Sequence, residues 1–160
     1  MAVNYYLIST DKAWIVKYFG ERYADEWMLV DTPFFGYSVH IGKRAEGWKP
    51  LFQTHNRAYR TVQEMVEFLH REEDKFRIYD EFGRELRIDE LVDELVHWGE
   101  NQRECRLRYV EGMLLEDPEG ELKTPVDYLE YSKLDTRRGN KRPHYWKDRA
   151  GYNFRDGYFC

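Results

Sequence analysis

Little in this chain points to a reaction. Its 160 residues hold two cysteines, Cys105 and the terminal Cys160, which supply neither a disulfide framework nor a zinc spacing. The uninterrupted apolar runs are only a few residues long, and a bilayer span needs about twenty such residues. Met1-Ala2-Val3-Asn4-Tyr5 lacks the basic region and long apolar stretch of a secretory leader. No repeat or low-complexity segment is present. The five histidines (His40, His55, His70, His97, His144) contain no i,i+4 pair and no short strand-type spacing, so there is no local metal motif. A site assembled from distant histidines is the one metal alternative left open. These absences predict a soluble, cytosolic protein with no membrane partner and no cofactor.

What is present favours a packed body. Charged residues make up 34%, hydrophobic ones 42% and aromatic ones 17% of the chain, and that aromatic content argues against general disorder. A chain of this length is most simply a single domain over 1–160. The net charge of −5 is uneven. Residues 133–149 hold seven Lys/Arg (Lys133, Arg137, Arg138, Lys141, Arg142, Lys147, Arg149) against Asp135 and Asp148, a local +5 that leaves −10 on the remainder. An acidic body with a basic segment near its end can meet an anionic partner or fold back on itself.

The stretch Tyr37–Gln53 carries the clearest strand pattern. Tyr37, Val39 and Ile41 alternate with Ser38, His40 and Gly42, and after a polar turn closed by Gly47 the β pattern resumes from Trp48 to Gln53, predicting a hairpin. Further strands are expected over 4–9, 27–30 and 76–79. Trp14 to Phe19 fits a strand or a helical turn equally. Thr61-Val62-Gln63-Glu64 fits a capping box opening a helix with Val62, Met65, Val66, Leu69 and Phe68 inward. Ile88, Leu91, Val92, Leu95 and Val96 form the best helical stripe, with Gly99 as its terminator. Asp80-Glu81-Phe82-Gly83-Arg84 reads as a turn, and Pro125 to Leu129 can open a short helix. Residues 135–143 read as an exposed basic loop, and the aromatic segment 145–160 is expected to dock on the body, because free rings forgo roughly 1.5–3 kcal/mol each. The sum is α+β, a mostly antiparallel sheet with two or three packed helices.

Three groupings compete for function. His40, Lys43 and Arg44 place a titratable ring and two cations at the expected hairpin turn, where a phosphate or other anion can be held; the competing reading is a solvated turn, since no phosphate-loop pattern accompanies them. Trp48 beside them reads as core before stacking platform. Arg137, Arg138, Lys141 and Arg142 with His144 and Trp146 have the composition of a single-stranded nucleic-acid surface, yet no complete recognition motif is visible. Cys160 is a poor nucleophile, because the adjacent terminal carboxylate opposes thiolate formation. The helix carboxylates read as solvated faces, and no catalytic residue stands out.

At His40-Ile41-Gly42-Lys43 with Gly47-Trp48, at Asp80-Glu81-Phe82-Gly83, and at Gly151-Tyr152-Asn153-Phe154 with Phe159-Cys160, the chain resembles a group of small uncharacterised bacteriophage proteins. The resemblance implies a phage accessory protein in the host cytoplasm, of a kind that binds host proteins, defence components among them; the charged groupings above add a small anionic ligand as the other binding partner. A nucleic-acid-binding protein using 133–149 and an enzyme acting on a phosphate-containing substrate are the alternatives.

Overall fold

The computed structural model describes residues 2–25, 29–30, 35–46, 49–99, 126–127, 145–148 and 150–157. Their strands join one sheet: β1 (Ala2–Ser9), β2 (Leu29–Val30), β3 (Gly36–Ala45), β4 (Leu51–Gln53), β5 (Arg77–Asp80), β6 (Glu85–Leu86), β7 (Val126–Asp127), β8 (Tyr145–Lys147) and β9 (Asn153–Arg155). The order is β6-β5-β1-β3-β4-β9-β8-β7, with β2 paired to the start of β3. Pairing is antiparallel except for β4 with β9 and β7 with β8. With helices α1 (Lys12–Phe19), α2 (Val62–Arg71) and α3 (Ile88–Leu91), the class is α+β, as expected.

Helices α1 and α2 begin where short polar side chains catch free N–H groups. Asp11 accepts from Trp14 N–H at 3.0 Å, and Gly20 at φ +104° ends α1. That resolves Trp14–Phe19 as helix, because a cap and a left-handed glycine outweigh the β-branched content between them. The Thr61 hydroxyl accepts from Glu64 N–H at 2.9 Å, while the Glu64 carboxylate reaches Arg60 N–H at 3.3 Å rather than that of Thr61. Val62, Met65, Phe68 and Leu69 are buried. Helix α3 widens after one turn into a π turn over Val92–Val96 and closes as a 3-10 turn over His97–Gly99. Leu91, Leu95 and Val96 are buried along it.

One face of the sheet packs on these helices. Across β1, β3, β4, β9 and β8 the register aligns Tyr5, Gly42, Phe52, Phe154 and Trp146 in one row, and its four aromatic members are fully buried. Trp146 stacks on Phe154 with centroids 4.2 Å apart, and its indole N–H donates to the Thr54 hydroxyl at 2.9 Å. The aromatic segment therefore docks through Trp146 and Phe154, while residues 158–160 lie outside the described residues. A second aromatic cluster surrounds Trp14, which stacks on both Phe68 and Phe76.

Three expectations change. Strand β3 continues through Lys43, Arg44 and Ala45, so those cations stand in a strand and not at a turn, because β1 extends far enough to pair with them. The register shift between Tyr5 and Tyr6 leaves Ile41 as the extra residue of a β-bulge. Gly42 consequently aligns with Tyr5 and turns inward with Val39 and Ile41. Val126 and Asp127, expected in a short helix, form a strand because they pair with Trp146 and Lys147.

A Cβ at Gly42 would lie 2.8 Å from the Leu51 carbonyl oxygen and 3.2 Å from Leu95, too close for either to stay in place. We expect Gly42→Ala to cost roughly 1–3 kcal/mol, read as a lower urea midpoint with an unchanged slope.

Candidate binding site

The sequence-identified residues divide between the two faces of the sheet. The bulge at Ile41 places His40, which pairs with Tyr6, and Lys43, which pairs with Asn4, on the face away from the helices. Arg44 pairs with Val3 and turns to the helical side, its guanidinium 4.4 Å from the Trp98 ring centroid. Arg44 also donates to the Glu94 carbonyl at 3.3 Å. His40, Lys43 and Arg44 therefore do not converge on one anion.

His40 is the centre of a hydrogen-bond chain. Its Nε2 lies 2.9 Å from Asn4 Oδ1 and its Nδ1 3.0 Å from Gln53 Oε1. The Gln53 amide nitrogen donates to the Gly157 carbonyl at 2.7 Å and the Arg155 carbonyl at 3.3 Å, which fixes its oxygen toward the ring. Asn4 N–H donates to Glu81 at 2.9 Å. The chain thus runs from the Asp80–Arg84 turn across β1, β3 and β4 to the carbonyls of Arg155, at the end of β9, and Gly157 beyond it. Asn4 and Gln53 are buried, and their polar atoms are engaged within the fold as burial requires. Burial depresses the His40 pKa, with Lys43 adding to the effect while the Gln53 bond and Glu81 oppose it. Both ring nitrogens already face amide oxygens, an arrangement that braces strands and leaves the ring poorly placed as a general base.

A second histidine is buried more completely. His55 Nε2 donates to the His40 carbonyl at 2.7 Å, and the rings of Phe19, Tyr23 and Tyr59 meet it edge-on. Desolvation lowers its pKa to about 4. Nothing local in the polar stretch after β4 signals this burial; it follows from the aromatic cluster that α1 and α2 bring over it.

On the helical side, Asp80 accepts from Phe82 N–H, Arg84 N–H and the Arg84 guanidinium, and Arg84 also pairs with Glu94. The Tyr5 hydroxyl lies against Glu94, and burial together with that carboxylate pushes its pKa up to about 12 against the pull of Arg44 and Arg84. Asp148 accepts from Val62 N–H, the first residue of α2, and from Tyr152 N–H, both at 2.9 Å. A carboxylate at a helix N-terminus is favoured there by the free donors and the helix dipole.

The end of the sheet holds the remaining candidates. Lys43 and Arg44 close β3, Lys49 leads into β4, and Trp98 donates to the Ala45 carbonyl at 3.4 Å. Beside them opens a cleft of about 200 Å³ lined by Lys49, Pro50, Val96, Ala150, Gly151, Tyr152 and Asn153. Trp146, grouped with the basic segment as a candidate stacking ring, is buried in the core with the docked aromatic segment, where its ring completes the stack on Phe154. Trp48, Arg137, Arg138, Lys141, Arg142 and His144 lie outside the described residues. Among the described residues no group of three His, Cys, Asp or Glu side chains is placed to hold a metal ion, and no helix is long and apolar enough to cross a membrane. Comparison of the chain with protein-family models, curated proteins and solved structures gave no match.

Above pH 6.5 His55 is neutral in both the folded and the unfolded chain, so it adds no pH dependence. Below that the unfolded chain takes up a proton that the fold refuses until about pH 4. Stability therefore falls by about 3 kcal/mol across this window on account of His55. Urea unfolding of wild type and His55→Gln between pH 7 and pH 4 checks this: the variant loses markedly less stability over the window.

Proposed function

We propose that this protein acts by binding, as an accessory protein of bacteriophage type, and that it engages an acidic group on its partner. The observation that carries the reading is the cationic end of the sheet, where Lys43 and Arg44 leave β3 on opposite faces and Lys49 enters β4 beside an open cleft. Glu46 and Glu81 are exposed acids at the same end, Glu81 being held by the N–H of Asn4, which pairs with Lys43. Charged rims of this kind set the rate and specificity of association more than its final strength.

Two other readings have less to stand on. The nucleic-acid reading counts Trp146 among its stacking rings, and that ring is enclosed in the core. The phosphate-enzyme reading needs His40, Lys43 and Arg44 together, and Arg44 faces away from the other two. His40 also has an amide oxygen against each ring nitrogen, and the neutral ring donates to one of them.

The test is retention of host-cell proteins on immobilised protein at low and high salt, comparing wild type with the Lys43→Glu/Lys49→Glu double variant. We expect one partner held by wild type and weakened on the order of tenfold by the charge reversal. Equal retention by both proteins would show that this end of the sheet is not the contact. Arg44 is left unaltered, because its ring contact with Trp98 makes it part of the packing.

A further inference from the structure

We propose that the end of β4 is an acid-sensitive latch, where a proton taken up by His55 frees β8 and β9 from the sheet while the central strands stay paired. Three consecutive residues make the latch. The Gln53 amide donates to the carbonyls of Arg155 and Gly157. Thr54 N–H donates to the Arg155 carbonyl at 2.9 Å, and the Thr54 hydroxyl accepts the Trp146 indole N–H. His55 donates from Nε2 to the His40 carbonyl at 2.7 Å. The backbone register of β4 with β3 covers Gly42–Phe52 and Lys43–Leu51. Past Phe52 the side chains of Gln53 and His55, both engaged with His40, carry the tie between the two strands. The residues that hold the C-terminal strands to β4 are therefore themselves held to β3 in part through His55.

The surroundings of His55 supply the switch. The residue is buried, with the Phe19 ring against it from the end of α1, Tyr23 from the turn Glu21–Ala24, and Tyr59 from the loop after β4. Burial raises the pKa of both tyrosines, which stay neutral. The charges that act on the ring are those of His40 on β3 and Arg22 in the same turn as Tyr23, and both oppose protonation. Nε2 already carries the proton given to the His40 carbonyl, so acid adds one at Nδ1, and a cation enclosed by rings costs far more than one in water. Any opening that brings His55 to solvent is therefore favoured as pH falls below 6.5. Turning the ring out breaks its bond to the His40 carbonyl and moves the adjoining Thr54 and Gln53, while β1, β3 and β5 keep their own ladders. Ala150, Gly151, Tyr152 and Asn153 wall the cleft beside Lys49, so the same opening dismantles that cleft.

Hydrogen exchange of the full chain, followed by NMR at about pH 7 and about pH 4.5 and corrected for intrinsic rates, tests the latch. We expect protection at the Thr54 amide, the Trp146 indole N–H and the amides of β9 to fall on the order of a hundredfold between the two conditions. Leu7, Val39 and Ile78, in the central strands, should keep most of theirs. In His55→Gln, whose amide can still donate to the His40 carbonyl, the fall should largely disappear, which subtracts the contribution of every other titrating group. Thr54→Val removes the acceptor of the Trp146 indole, so it should loosen the same strands at both pH values and leave their pH dependence unchanged; this keeps the test open if His55→Gln does not fold. Equal loss across the whole sheet, loss at Tyr23 with β9 still protected, or unchanged protection throughout would overturn the inference. So would the same fall in folded His55→Gln as in wild type, or a pH dependence altered by Thr54→Val.

Discussion

At Gly42 the strands β3 and β4 approach so closely that no side chain fits between them, and much of the fold depends on that contact. The missing Cβ lets the Leu51 carbonyl and the Leu95 side chain close over the same point. One is backbone of β4 and the other belongs to the helical layer, so sheet and helix are brought together at a single residue. Because Gly42 aligns with Tyr5 and Phe52, the aromatic row across the sheet is set in register there. Phe154 and Trp146 then extend it through the parallel pairing of β9 on β4.

The bulge at Ile41 is the second consequence. Without the extra residue, His40 and Lys43 would face opposite sides of β3, since strand side chains alternate. With it, both face away from the helices and Arg44 is turned toward them. The His40 chain of hydrogen bonds then ties the Asp80–Arg84 turn, the central strands and the carbonyls of Arg155 and Gly157 into one lateral brace. Residues whose chemistry suggests ligand contact are thereby engaged inside the molecule, as buried polar groups generally must be.

The C-terminal segment is held by more than apolar burial. Trp146 and Phe154 supply the stacked rings, Asp148 anchors the start of α2, and the Gln53 amide holds the carbonyls of Arg155 and Gly157. The hydrogen bonds among these contacts, with that of Trp146 to Thr54, join residues 86 to 104 positions apart in sequence, so the segment is held to the sheet by long-range contacts. The same segment walls the cleft next to Lys49, which makes the candidate binding site a product of that docking.

Much of the local structure was legible because its causes are local. The Thr61 cap, the inward stripe of α2, the Asp80–Arg84 turn with Gly83 at positive φ, and the strand Asn4–Ser9 each follow from spacing and side-chain type within a few residues. The ends of α1 are set by Asp11 and Gly20, which flank a stretch whose apolar pattern fits strand and helix alike. The candidate site was less legible: His40, Lys43 and Arg44 are neighbours in sequence, but a bulge, invisible without the pairing partner, distributes them over two faces. The burial of Trp146, the depressed pKa of His55 and the strand at Val126–Asp127 depend on residues far along the chain. Spacing in sequence determined which segments were helix, strand and turn, because capping, alternation and backbone preference act over a few residues. Which side chains were exposed, charged or free to meet a partner was decided by the tertiary structure, because burial and hydrogen-bond satisfaction exist only once distant strands are paired.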